Sequence, residues 1–438
     1  MDNRSTCWSL TRRSLATLIL LGCCLAAPAV AQQESAETSF EWDLLLAGGH
    51  VMDVHNGIDG LYDVAIADSQ IVAVGEGLDP ASAERVVDVS GLYVMPGLID
   101  LHVHVFWGTG TGYARGRSGW SSYSDSYNAV RPDDHAPRAG VTTVVDAGSS
   151  GWRNFPTFYD RVIKGSRTRV LAFLNIVGAG MNGGPAEQDL TDMDGRLTGQ
   201  MAERFDSIVG VKLAHFRGPD WEPTRRAVAA GEAAEVPVMV DFGGSKPPLP
   251  FTQLLLQELR PGDILTHCYA GVGSRESIVD LDEGKLRDVA LKARERGVLF
   301  DVGHGGGSFR FDVALPALRA GFFPNTISTD LHIGSMNAGM KDMANVMSKF
   351  LAMGMSWSDV VAASTLVPAQ TIQREDLGHL SVGAVADIAV FSLREGQFGY
   401  VDVRGKRLSG TQRAVAELTI RAGRVLWDLN GLTAEPAE

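Results

Sequence analysis

Cysteine is scarce in this chain of 438 residues and gathers at the start: Cys7, Cys23 and Cys24, with Cys268 alone beyond them. Once that first stretch is set aside, no intrachain disulfide can form, even in an oxidising compartment. Blocks of lysine and arginine are missing too, and the net charge is −13. Both features argue against nucleic acid or an anionic membrane as partner, and leave a small molecule as the expected one. Beyond residue 31 no apolar run is long enough to span a bilayer. The composition, 45% hydrophobic and 21% charged, is that of a globular chain with room for one large domain and a smaller one.

The N-terminal stretch reads as a signal peptide over 1–31, followed by a polar linker over 32–41. Arg4, Arg12 and Arg13 precede an apolar run from 15 to 30 that ends Ala29-Val30-Ala31, a small-x-small cleavage pattern. The expected destination is export, most simply to a periplasm. Arg12-Arg13 leaves the twin-arginine route open, and Leu20-Leu21-Gly22-Cys23 offers a lipid anchor at Cys23 as the alternative. Removing 1–31 takes away three arginines and one aspartate, and moves the charge from −13 to −15.

From 42 to 94, short candidate strands (43–47, 50–54, 63–67, 70–74 and 85–89) are separated by turn signals at Gly48-Gly49, Asn56-Gly57 and Asp68-Ser69. From 378 the style returns, with strands at 386–392, 413–421 and 424–427 and turns at Glu395-Gly396 and Ala422-Gly423. The expectation is one small β-sandwich made of two parts, 42–96 and 378–430, with a tail over 431–438. Between them, over 97–377, eight candidate strands lie at 98–102, 142–146, 170–176, 209–214, 237–242, 263–268, 298–302 and 326–331. They alternate with helical stretches such as 222–234, 284–296 and 340–352. That alternation indicates parallel βαβ units, and eight of them over about 280 residues predict an α/β fold, a (β/α)8 TIM barrel.

In such a barrel the chemistry sits where the strands end. Strand 1 closes with Leu101-His102-Val103-His104. Residues two apart in a strand share a face, so His102 and His104 point the same way, and Asp100 with them. Two converging imidazoles suit a transition metal such as zinc better than they suit packing. Lys212 lies in the apolar run 209–214, where an ammonium needs an acid partner (Asp241 or Asp330) or must lose its proton. A neutral amine there can take up carbon dioxide as a carbamate, a group able to bridge two metals. Strand 5 ends in Asp241, strand 6 in His267, strand 7 in Asp301 and His304, and strand 8 in Asp330 and His332. Singly, His267 could be a core histidine and Asp330 a loop-holding acid. Their joint placement at strand ends is what suggests a site.

The order HxH, Lys, a strand-5 ligand, His, Asp, flanked by β segments, resembles the metal-dependent amidohydrolase superfamily. Gly140-Val141-Thr142-Thr143-Val144-Val145-Asp146, Leu259-Arg260-Pro261-Gly262-Asp263, Phe300-Asp301-Val302-Gly303-His304-Gly305 and Ile327-Ser328-Thr329-Asp330 narrow the likeness to its deacetylase and dihydroorotase-like branch. The resemblance implies that His102, His104 and Asp330 hold one divalent metal, zinc being the expected ion. It also implies that Lys212, as its carbamate, bridges to a second metal held by Asp241 and His267. Asp241 stands where relatives carry histidine, so one ion or two stays open. The implied activity is hydrolysis of an amide, N-acyl or cyclic amide or imide C–N bond by metal-activated hydroxide, with Asp330 as general base and then acid. His304, His215 and Arg217 are the candidates for substrate contact, His304 also for catalysis, with a solvated loop histidine and an exposed arginine as the plain alternatives. Cys268 reads as a small buried filler. Ester or lactone hydrolysis at the same site is a competing reading, as is a binding protein that lost its second metal through Asp241. A homo-oligomer is a family-level expectation.

Overall fold

Strands that are apolar on both faces form sheets buried on both sides, and the middle of this chain is written that way. The computed structural model describes residues 40–107, 128–241, 245, 248–271 and 275–437. The signal-peptide reading, and all of the linker up to 39, lie outside the described residues. The first strands are β1 (Leu44–Asp53), β2 (Ile58–Ala67), β3 (Gln70–Gly75), β4 (Val86–Asp88) and β5 (Tyr93–Pro96). Gly48-Gly49 does not split β1 as expected. Gly48 adopts φ +75°, its N–H donates to Asp63 Oδ1 at 2.7 Å, and the strand continues through a register shift. The pair makes a bulge instead of a turn.

The central strands are β6 (Leu98–Val103), β7 (Val141–Gly151), β8 (Arg169–Asn175), β9 (Ile208–Ala214), β10 (Val238–Asp241) and β11 (Ile264–Leu265). A small hairpin of β12 (Val279–Asp280) and β13 (Lys285–Leu286) precedes β14 (Leu299–Phe300). The parallel sheet runs β14-β11-β10-β9-β8-β7-β6. Alternation assigns the faces. Val145, Leu171, Phe173 and Met239 join one apolar cluster. Val144, Val170, Leu174 and Val240 join another, with Ala227, Ala230, Ala290 and Ala293 from helices.

Seven of the eight expected strands are therefore present. The eighth, 326–331, meets the sheet through isolated parallel bridges, Asp301 to Thr326 and Val103 to Leu331, so it touches the two ends of the strand order. It does not run as a ladder, because Asp330 adopts φ +50°, which an extended strand excludes. Ser328 and Thr329 instead give their hydroxyls to Asp301 and Asp100. The result is a curled parallel sheet in a mixed α/β fold.

The C-terminal segment adds β15 (Ile388–Val401), β16 (Arg407–Arg421) and β17 (Arg424–Asp428). β15 pairs antiparallel with β5, Ala389 opposite Met95. The two terminal segments thus meet in one eight-stranded sheet, ordered β17-β16-β15-β5-β1-β2-β3 with β4 on β1. Glu395-Gly396, like Gly48-Gly49, falls at a register shift inside a long strand and not at a turn. Among the described residues no helix is long and apolar enough to cross a membrane.

Candidate metal centre

The end of β6 and the segment after β14 bring three ligands together. His102 Nε2 and His104 Nε2 lie 3.7 and 3.2 Å from Asp330 Oδ1. The ligand atoms of all three residues fall within 4.8 Å of one another, and all three are buried. Their orientation comes from the layer behind. Thr266 Oγ1 donates to Asp301 Oδ2 at 2.7 Å, so it accepts from His102 Nδ1 at 2.8 Å and leaves the Nε2 lone pair facing Asp330. Asp301 is fixed in turn by the hydroxyls of Thr326 and Ser328. His104 Nδ1 lies 3.1 Å from Ser149 Oγ.

Burial, with Lys212 beside it, lowers His102 to about 3, so its imidazole is neutral. Burial would raise Asp330, but His332, His104 and His102 together hold it below the usual carboxylate range. Glycine supplies the room. A Cβ on Gly305 would lie 2.2 Å from Asp330 Oδ2, and one on Gly303 would lie 2.7 Å from His267 Nδ1. A neutral imidazole with its lone pair aimed at an ionised carboxylate, and a second imidazole beside it, is a donor set that fits a divalent cation.

One expectation about the strand fails. A register irregularity between Asp100 and Val103 breaks the alternation. Asp100 accepts from the Thr329 N–H and hydroxyl and from the His102 N–H, and it does not share the histidines' cavity.

Lys212 is fully buried on β9. Its Nζ lies 3.3 Å from His102 Nε2 and 3.7 Å from Met239 Sδ. The expected alternative of an ion pair with Asp241 or Asp330 is not formed. Burial pushes its ammonium down, against the pull of Asp241 and Asp330. Asp241 Oδ2 is 3.3 Å from both His267 Nε2 and His215 Nε2, and its Oδ1 takes Arg275 Nη1 at 3.1 Å. His215, His267 and Asp330 all adopt positive φ, of 58°, 55° and 50°. Such backbone costs about 1–3 kcal/mol per residue and concentrates at functional sites.

A cavity of about 240 Å³ is lined by His102, His104, His215, Asp241, His267 and Asp330, and also by Asn128, His332 and the loop 306–308. His304 is placed elsewhere. It is fully buried, with Nδ1 2.9 Å from the Gly305 carbonyl, Nε2 2.7 Å from Lys349 Nζ and its ring stacked on Phe309. Arg217 is exposed and is not part of the lining; its backbone N–H donates to Gln188. Cys268 is buried, and burial raises its thiol well above the ordinary value. Arg275, Glu187 and Lys349 escape a reading based on strand ends, since two come from loops or short turns and one from the helix Met343–Ala352. Asp301 does sit at a strand end, where an acid beside a histidine is the available signal.

A family model for the amidohydrolase family matches residues 310–424. A deacetylase of Agrobacterium fabrum is 35% identical over 383 residues, covering 85% of this chain and 88% of its own length. A deacetylase of Enterococcus faecalis is 30% identical over 392 residues, covering 88% and 99%. Among solved structures, an adenine deaminase superposes with TM-score 0.77 at 29% identity, over 89% of this chain and all of that one. A dihydroorotase gives TM-score 0.75 at 30% identity, over 87% and 98%. The donor set at the strand ends and these near-full-length likenesses agree, and the chain belongs to the amidohydrolase family, a hydrolase acting on carbon–nitrogen bonds.

Proposed function

We propose that this chain is an exported, zinc-dependent hydrolase that removes an N-acyl group from a small substrate. The observation that carries the proposal is the convergence of His102, His104 and Asp330 in a cavity sized for a small molecule. The likeness to deacetylases over most of the chain supports the acyl class. The likeness to a dihydroorotase structure favours a second reading, a cyclic amide or imide. The same proposal closes the parallel sheet into a (β/α)8 barrel through 326–331. It takes the sheet of both terminal segments as the small β-sandwich domain, and residues 1–31 as the export signal.

When bound, a divalent metal polarises the carbonyl and brings the acidity of a water molecule near neutral pH. His102, His104 and Asp330 would hold it. Asp330 also moves the proton: it is ionised, and its Oδ2, on the side of His332, takes a proton from the attacking water and delivers it to the leaving nitrogen. His332 accepts the Gly334 N–H at Nδ1 (3.0 Å), so in its neutral form the hydrogen is on Nε2, available to the oxygen that becomes negative. Burial disfavours the Lys212 ammonium, which sets the amine up to carry a carbamate towards a second ion. His304 is a positioning residue, holding the turn at Gly305 from behind while Lys349 holds His304.

The test is a panel of N-acyl amino acids, cyclic imides and lactones. Turnover of the N-acyl compounds is expected, with Asp330→Asn lowering kcat by about 10²–10⁴. Turnover by that variant at the wild-type rate and metal content would remove Asp330 from the mechanism, and turnover of the imides alone would favour the second reading.

A further inference from the structure

We infer that the end of the parallel sheet away from the metal centre carries an anion site, which takes the phosphate or carboxylate group of a small organic molecule. The inference does not depend on the hydrolase reading. A cavity of about 400 Å³ opens where β8 and β9 begin. It is lined by Arg169, Arg204, Arg374 and Arg421, with Asp206 as the one acid in the lining. That excess of cations is unexpected in a chain of net charge −13. Segments distant in sequence supply it: the first residue of β8, the last of the helix Gly195–Arg204, the stretch after Leu366–Thr371, and the last residue of β16. The residues of the metal centre belong to the other ends of these strands, Lys212 and His215 at the close of β9.

Ion pairs within the chain account for two of the four cations. Arg169 Nη1 donates to Asp387 Oδ2 and to Thr143 Oγ1, and Arg374 donates from Nε and Nη2 to the two oxygens of Asp376, at 2.7 and 2.6 Å. Asp387 is then spent, since its other oxygen accepts the Ala422 N–H at 2.9 Å. Asp133 is spent as well, on the N–H groups of Arg167 and Thr168. Arg421 is half-buried, and its Nε has no hydrogen-bond partner among the described residues. Burial and the neighbouring Arg169 both push its guanidinium downward, against Asp387 and Asp133. Two hydroxyls of the same lining are left over too. Thr168 is 1% exposed and its Oγ1 has no partner among the described residues, nor has the buried Ser207 Oγ. Each unmet buried group of this kind costs about 1–3 kcal/mol, so its partner is to be sought in the cavity. Two hydroxyl donors and a guanidinium match the several lone pairs of one oxyanion. The half-buried rings of Tyr159 and Phe205 give the carbon part of the ligand an apolar wall, and the exposed Arg204 guanidinium lies 5.5 Å over the Phe205 ring.

Calorimetric titration of the zinc-loaded protein at fixed ionic strength decides it, with phenyl phosphate, benzoate and inorganic phosphate as probes. Wild type is compared with Arg421→Met and Arg204→Met; Arg204 is exposed, so its variant keeps the fold even where Arg421→Met does not. Wild type should bind one phenyl phosphate or one benzoate per chain, the tighter of the two showing whether phosphate or carboxylate is the group preferred. Arg421→Met should raise that Kd about 10–100-fold, the loss of a charge-assisted hydrogen bond. Arg204→Met should raise it about 3–5-fold, as an exposed charge does. Inorganic phosphate should bind more weakly than phenyl phosphate, because it leaves the aromatic wall unused. A wild type that binds neither organic probe overturns the inference. So does binding that Arg204→Met and a folded Arg421→Met both retain unchanged, since the anion then sits elsewhere. Either result leaves the hydrolase reading standing.

Discussion

Asp301 touches no substrate space, yet it decides which nitrogen of His102 faces the cavity. Its Oδ2 draws the Thr266 hydroxyl hydrogen, which obliges Thr266 to accept from His102 Nδ1. Asp301→Asn can turn its amide towards Thr266, reverse that chain of donors and present His102 in the wrong tautomer. Metal affinity, measured by competition with a chromophoric chelator, should fall about 10–100-fold while the fold is kept. Unchanged affinity would mean that the tautomer is set elsewhere. At this scale much of the site was legible in the sequence. His102, His104, Asp241, His267 and Asp330 all line one cavity, because the strand-end rule needs only alternation and a parallel sheet. His304 was misplaced by the same rule, whereas Arg217, named from the loop after Lys212, takes its plain alternative of an exposed arginine. A glycine-rich loop says that backbone is exposed there, but not which way a flanking histidine turns.

At the scale of elements, the loop 303–308 and the helix Met343–Ala352 act as a pair through His304 and Lys349. Burial, and then Lys341, lower Lys349 to about 7 from its ordinary 10.5. Between those two values the unfolded chain binds a proton that the folded chain does not, so stability rises with pH across the interval. It is lost as pH falls through about 7. Comparing denaturant stability of wild type with Lys349→Met from pH 7 to 10, the difference should tilt towards wild type as pH rises, by at most about 1.4 kcal/mol per pH unit. A flat difference would place an ordinary lysine there. The strands themselves were largely legible, since β-branched runs and glycine breaks fix them. The exceptions have physical causes: Gly48-Gly49 and Glu395-Gly396 are absorbed as register shifts in long strands, and Asp330 takes a backbone angle that no strand permits.

For the whole molecule, an ion held by His102, His104 and Asp330 would link parts of the chain that are distant in sequence, and so should bear on global stability. Removing it with a chelator should lower Tm, the bound state being favoured by about 2.7 kcal/mol at a hundredfold excess of metal over Kd. His102→Ala should lose most of that shift, and an equal shift in the variant would put the stabilising ion elsewhere. That the two terminal segments would come together was legible from their matching styles, but β5, which carries the pairing with β15, was not among the candidate strands. That the segments would share one continuous sheet was not legible, because which edges meet depends on pairing partners far apart in sequence.

The central claim is that His102, His104 and Asp330 hold an ion at one end of the parallel sheet. Anomalous X-ray diffraction from crystals of the zinc-loaded protein, collected on both sides of the zinc absorption edge, tests it most directly. The account predicts a strong peak within bonding distance of His102 Nε2, His104 Nε2 and an Asp330 carboxylate oxygen. A zinc-loaded crystal with no peak among those three atoms would contradict it.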